Sequence, residues 1–104
     1  MSQQELALKK IKSVYGTPEG EFGPDLFVSH HLDELEADDW NTSLQIAKPE
    51  PDVILNSLVL IDSWSSQDNG DNDTFDFSLP NDVTNYLLSV RFENDLPVEV
   101  SMES

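Results

Sequence analysis

The residues of this chain that first invite a chemical interpretation are the adjacent histidines His30 and His31, which Asp33, Glu34 and Glu36 follow closely. Imidazole and carboxylate groups ligate metals, and histidine exchanges protons near neutral pH, so the group could form a metal site or a general base. Adjacent side chains, however, point to opposite faces of a strand or about 100° apart on a helix. No His-Glu-x-x-His repeat is present either. We predict a structural or surface role, with a small metal- or ligand-binding protein that uses His30 or His31 as the alternative.

A second candidate is the acidic run from Asp68 to Asp73, which resembles a calcium-binding loop in composition. Counted from Asp68, the sixth position is Asp73, where a calcium loop needs glycine. The twelfth position is Leu79, where such a loop needs a bidentate glutamate. The run therefore predicts a polar hairpin loop without a metal.

Nucleophilic and redox chemistry finds no support in the sequence. The chain has no cysteine, which excludes thiolate metal sites, disulfides and cysteine nucleophiles. Ser63, Ser65 and Ser66 have neither a neighbouring histidine nor a glycine elbow, and no phosphate-binding glycine loop is present. Paired carboxylates need a cleft that raises one pKa, and 104 residues leave little room for it. We predict a protein that is not an enzyme and holds no cofactor or metal.

Net charge is the outstanding feature of the composition. The chain has 21 acidic and 5 basic side chains, which give a net charge of −16. Residues 1–12 alone carry +2, so residues 13–104 carry −18. Nucleic acid and anionic membranes would be repelled by such a surface, whereas a basic protein would be attracted. The alternative is that the acidity serves solubility alone.

Candidate partner-binding residues come from two acidic stretches and one tryptophan. They are Glu34, Glu36, Asp38, Asp39, Trp40, Asp68, Asp71 and Asp73. Trp40 is included because an exposed tryptophan makes a good interface anchor, although packing in the core or at an edge is the commoner role for both tryptophans.

The first half of the chain is expected to supply helices. Apolar residues at helical spacing predict a helix over residues 3–14, and a loop rich in glycine and proline follows at 16–24. The apolar run 25–32 is interpreted as a short strand, with a helix as the alternative. An aspartate cap predicts a helix over residues 38–46, and another helix begins at Pro51.

The second half predicts an antiparallel sheet. Apolar and polar residues alternate over residues 75–79, 86–92 and 98–103, with short turns between them. An earlier strand begins at Leu58 and ends before the turn-rich segment 65–73. Successive strands of this kind form a meander with one apolar face, which the helices must cover.

The predicted fold class is α+β, with an antiparallel sheet of three to five strands that includes the C-terminal meander. Two or three helices pack on one face of the sheet, and residues 1–104 form a single domain. On the polar face of the sheet, we expect Arg91 to have Asp76 and Glu99 as cross-strand neighbours.

The expected location is the cytoplasm. The longest strictly apolar run, residues 58–61, is too short to span a membrane. The N-terminus has no basic stretch followed by an apolar core, and the absence of cysteine fits a reducing compartment.

Several segments carry a resemblance to a known family: VYGTPEGEFG (14–23), LFVSHHL (26–32), FDFSLP (75–80), NYLLSVRF (85–92) and the ending SMES (101–104). Over most of its length the chain resembles a family of short acidic bacterial proteins of unknown function. The resemblance implies a bacterial origin and brings no catalytic residues. In size and charge only, such proteins resemble the immunity proteins that neutralise bacterial toxins.

Together these patterns predict a non-enzymatic protein-binding module for a basic partner, similar to an immunity protein for a toxin. We expect a monomer or a homodimer. A structural homodimer formed through an exposed strand edge is a further alternative.

Overall fold

The computed structural model describes residues 2–65 and 72–103. Within them, four helices precede four strands. The helices are α1 (Gln3–Val14), α2 (Pro24–Glu34), α3 (Ala37–Leu44) and α4 (Pro51–Asn56). The strands are β1 (Val59–Trp64), β2 (Thr74–Ser78), β3 (Leu87–Glu93) and β4 (Leu96–Glu103). Short 3₁₀ turns at Pro18–Gly20 and Pro80–Asp82 complete the described elements, and the predicted α+β class is confirmed.

The strands form one antiparallel sheet in the order β1-β2-β3-β4. Phe75 pairs with Val90 and Phe77 with Leu88, and Val90 pairs in turn with Val100. Residues paired directly across strands share a face, so these side chains form the apolar face that the alternation predicts. The predicted C-terminal meander is therefore confirmed, and β1 extends it by one strand.

Helices cover that apolar face. In α1, Ala7, Ile11 and Val14 are buried at positions i, i+4 and i+7, which is the stripe of an amphipathic helix. Both α1 and α2 contact β4, and α2 also contacts β3. The buried apolar side chains of helices and strands form one hydrophobic cluster.

The strand predicted over residues 25–32 is wrong, because this segment is helix α2. Its buried residues are Pro24, Phe27, Val28 and His31, which lie at positions i, i+3, i+4 and i+7. Pro24 suits the first turn of a helix, where its missing N–H costs nothing. The helical stripe includes a proline and a histidine, so the apolar residues alone did not reveal it.

Helix α3 confirms the helix predicted over residues 38–46, although it ends at Leu44. Gln45 ends it with a left-handed backbone at φ 60°. The Ser43 hydroxyl donates to the Pro80 carbonyl at 3.1 Å, and the Asn81 amide donates to the Thr42 carbonyl at 2.8 Å. These bonds fasten α3 to the turn that follows β2.

The glycine-rich loop lies in close contact with the backbone of α1 and β4. A Cβ atom on Gly20 would lie 2.2 Å from the Val14 carbonyl oxygen, and one on Gly23 would lie 2.7 Å from the Val100 carbonyl oxygen. Between these glycines, the Phe22 carbonyl accepts a hydrogen bond from the Met102 N–H at 2.9 Å. The loop therefore covers the outer edge of β4 around Val100 and Met102.

We expect Gly20→Ala to lower the free energy of unfolding by about 2 kcal/mol, because the added methyl group forces the loop away from the backbone of α1. Urea denaturation measures the change. The exposed neighbour Glu21 provides the control, since Glu21→Ala should stay within about 0.5 kcal/mol of the wild type. Equal stabilities for the two variants would contradict the close approach.

Candidate functional site

Four of the predicted partner-binding residues lie together where α2 ends and α3 begins. Glu34 is the last residue of α2, Glu36 lies in the connection, and Asp38 and Asp39 are in the first turn of α3. All four side chains are exposed, as is that of Asp33. We call these five residues the α2–α3 acidic surface.

Part of this acidity stabilises the helices. The Asp39 carboxylate accepts a hydrogen bond from the Glu36 N–H at 3.2 Å, and Asp38 and Asp39 lie at the positive end of the α3 dipole. Asp33 and Glu34, in contrast, lie in the last turn of α2, where the helix dipole is negative. Those two carboxylates cost helix stability, so helix formation does not explain their presence.

Trp40 does not belong to this surface. Its side chain is 2% exposed and packs in the hydrophobic core. It lies on the inward face of α3 together with Ser43, which is also buried. Trp40 is therefore not part of the exposed surface, because α3 packs its large apolar side chains, Trp40 and Leu44, against the core.

The second predicted acidic stretch lies mostly outside the described residues, since Asp68 and Asp71 fall there. Asp73 is described and joins neighbouring strands. Its N–H donates to the Trp64 carbonyl at 3.0 Å, and its carbonyl accepts from the Phe92 N–H at 2.7 Å. Its side chain accepts from the Thr74 hydroxyl at 3.1 Å. Asp73 therefore helps to hold the start of β2.

Most of the carboxylates have no cation beside them. Of the 18 acidic residues whose burial the structure describes, 15 are exposed. Within the described residues, Lys10 pairs with Glu19 at 3.2 Å, and Arg91 pairs with Glu99 at 3.2 Å and with Glu93 at 3.6 Å. No ion pair in this part of the chain involves the α2–α3 acidic surface. Its field is therefore directed outward without local compensation.

A groove of about 420 Å³ lies on the face of the sheet opposite the helices. Asp76, 8% exposed, forms its floor. The Trp64 indole N–H donates to Asp76 Oδ2 at 3.0 Å, and the Ser89 hydroxyl donates to Oδ1 at 2.5 Å. Both carboxylate oxygens are thus hydrogen-bonded to the protein, and the described residues that line the groove include no histidine. This arrangement holds the strands together and provides no activated nucleophile.

Arg91 lies at the rim of this groove. Its expected pairing with Glu99 is confirmed both by the strand register and by the 3.2 Å ion pair. Asp76 is not its direct partner, because Arg91 faces Thr74 and Asp76 faces Ser89, but Asp76 and Arg91 are diagonal neighbours that line the same groove. Both partners of the Arg91–Glu99 pair are about half exposed, so the pair contributes only about 0.2–1 kcal/mol.

His31 is buried, and both of its ring nitrogens have partners. Nδ1 lies 2.6 Å from the Phe27 carbonyl and must donate to it, which leaves Nε2 to accept from the Thr84 hydroxyl at 2.9 Å. Burial disfavours the charged ring and lowers the pKa of His31 below 6.5, against the opposing effect of the bond to Phe27. His31 therefore fastens α2 to the segment before β3 and has no nitrogen left for a ligand.

His30 lies beside His31 but contacts Tyr86, with the two ring centroids 4.5 Å apart. Across the described residues, no three His, Cys, Asp or Glu side chains are grouped to hold a metal ion. None of the helices in the described residues is long and apolar enough to cross a membrane.

We expect stability to fall as the pH drops from about 7 to about 5, because the unfolded chain protonates His31 near 6.5 while the folded chain resists. The stabilisation is complete above 6.5 and is lost as the pH falls toward the lower folded-state pKa. Denaturation at several pH values measures the slope, and NMR titration of the imidazole measures the pKa directly.

Removal of the buried imidazole supplies the control. His31→Gln should flatten the pH dependence, because it takes away the group whose pKa burial lowers. A His31 pKa at or above 6.5 would contradict the buried neutral ring.

Added sodium chloride should raise the melting temperature, because it screens repulsion among the exposed carboxylates. The screening length shortens from about 30 Å at 0.01 M salt to about 3 Å at 1 M. Calorimetry over this range measures the effect, which should be smaller in a triple variant with Asp33→Asn, Glu34→Gln and Asp38→Asn. A flat or falling melting temperature would show that the carboxylates are already compensated.

In comparisons with protein-family models, curated proteins and solved structures, nothing matches this chain. The resemblance to short acidic bacterial proteins stays a prediction.

Proposed function

We propose that this chain is a non-enzymatic protein-binding module whose acidic surface takes up a basic partner. The observation that carries the proposal is the α2–α3 acidic surface, with five exposed carboxylates in residues 33–39. No lysine or arginine occurs between Lys12 and Lys48, so these carboxylates present an uncompensated field to solvent.

Solubility alone is a weaker explanation of this pattern. Charges that only keep a protein in solution can lie anywhere on the surface, and there is no reason to concentrate them where they oppose a helix dipole. Asp33 and Glu34 do oppose the α2 dipole. A binding role accounts for this cost, because functional surfaces are often arranged at the expense of stability.

The partner that fits this surface is a protein with a cationic site of its own, such as a nuclease or toxin domain that binds phosphates. By covering that site, the module would block it in the way that immunity proteins neutralise toxins. The proposed setting is the cytoplasm of a bacterium. Long-range attraction would speed the encounter, and added salt would slow it.

The Asp76 groove does not support a competing enzymatic role, because its carboxylate is already satisfied by Trp64 and Ser89. The His30/His31 alternative is weakened in the same way by the engagement of both His31 nitrogens.

The test immobilises the full chain and captures proteins from an extract of its native cell at low salt. We expect a basic protein to be retained and to elute as salt rises. The triple variant with Asp33→Asn, Glu34→Gln and Asp38→Asn should slow association of the purified partner by about tenfold, because it weakens electrostatic steering.

A matched control removes the same charge elsewhere, with Glu21→Gln, Glu50→Gln and Asp95→Asn at exposed positions. This control should bind nearly as fast as the wild type. Recovery of no basic protein at low salt would count against the proposal, and equal slowing by both triple variants would remove the α2–α3 acidic surface as the site.

A further inference from the structure

The two edges of the sheet are protected very differently. β1 and β4 are the edge strands. The glycine-rich loop covers the C-terminal part of β4, through the hydrogen bond from Met102 to Phe22 and the close approach of Gly23 to Val100. For β1, in contrast, the described residues outside β2 supply one backbone bond, from the Asp73 N–H to the Trp64 carbonyl at its end. Among the described residues, no other backbone group pairs with the outer edge of β1 over residues 59–63, and we call this the open edge of β1.

This open edge is also apolar. Val59 is 40% exposed, Leu60 36%, Ile61 51% and Trp64 44%. Monomeric proteins usually protect an edge strand with lysine, proline, bulges or a covering segment. β1 has a register shift between Leu60 and Asp62 but neither lysine nor proline. The bulge turns Ile61 toward solvent and does not cover it.

Charge determines which kind of strand can pair with this edge. The one charged residue in β1 is Asp62, which is exposed, and the chain as a whole carries −16. A second copy would bring the same charge against it and would be repelled, whereas a segment that alternates cationic and apolar side chains is complementary. Main-chain hydrogen bonds would supply affinity, and the side chains would supply selectivity.

We propose that the open edge of β1 takes up an extended basic segment of the partner as an additional antiparallel or parallel strand. This inference rests on the proposed function and deepens it. The α2–α3 acidic surface attracts the partner, while β1 provides the strand to which one of its segments pairs.

The test uses an acetylated peptide of about eight residues that alternates lysine and valine, about the length of a strand. Titrated into the isotope-labelled full chain, it should shift the backbone amide signals of Val59–Trp64 and slow their hydrogen exchange. The same peptide with proline in place of two successive central residues keeps most of the charge but loses a backbone N–H on both sides of the strand, and should leave β1 unshifted.

Ile61→Lys should weaken peptide binding about tenfold, because it adds a repelling cation and removes an apolar contact at the edge. Phe22→Lys provides the matched control, since Phe22 is 72% exposed in the loop at the opposite edge. This variant also replaces an apolar side chain with a lysine. Its affinity for the peptide should stay close to that of the wild type.

Two results would overturn the inference. If the proline peptide binds equally well, or the shifts fall on the α2–α3 acidic surface and spare β1, the edge is not the site, although the proposed function stands. If sedimentation shows a wild-type dimer that Ile61→Lys dissociates, the edge pairs with a second copy. If Ile61→Lys abolishes partner capture while the triple variant Asp33→Asn, Glu34→Gln and Asp38→Asn captures the partner normally, the edge of β1 stays as the binding site. The proposed role of the α2–α3 acidic surface is then wrong.

Discussion

Both faces of β2 are buried, and the rest of the sheet is organised around this constraint. All of its residues, from Thr74 to Ser78, are buried, so the strand needs apolar cover on one side and satisfied polar groups on the other. Phe77 packs in the core, whereas Asp76 is held by the Trp64 indole and the Ser89 hydroxyl. The Ser78 hydroxyl donates to the Tyr86 carbonyl at 2.7 Å. No buried side-chain nitrogen or oxygen in the described residues lacks a partner, which is the condition for burying a polar strand face.

Most of the described acidic side chains are exposed to solvent, and few of them form ion pairs. Exposed carboxylates interact weakly through water, so a net charge of −16 remains compatible with a folded core of this size. Among the described carboxylates, the buried one, Asp76, is hydrogen-bonded on both oxygens. Charge and core are therefore separated in space, and Asp33 and Glu34, which oppose the dipole of α2, can change in sequence without disturbing the fold.

Much of the fold can be predicted from residue patterns, because period-two alternation in the last third of the chain specifies strands directly. Helix α2 could not be recognised in this way, since Pro24 and His31 complete its buried stripe and neither is counted as apolar. The α2–α3 acidic surface was accessible from sequence because its residues are contiguous. The burial of Trp40 could not be predicted from sequence, since the orientation of a short helix depends on what it packs against. The hydrogen bond between Trp64 and Asp76 could not be predicted either, because the bulge in β1 sets the register between the two strands.

The contrast between the two tryptophans gives this protein a pair of intrinsic optical reporters. Trp40 is sealed in the core, while Trp64 is 44% exposed on the edge strand with its indole N–H bound to a carboxylate. Indole emission moves to shorter wavelength when water is excluded from the ring, so Trp40 emits at the blue side and follows unfolding. We expect Trp64 to emit at longer wavelength and to be accessible to a neutral quencher such as acrylamide. The spectrum of the unlabelled chain should therefore report separately on the core and on the edge strand β1.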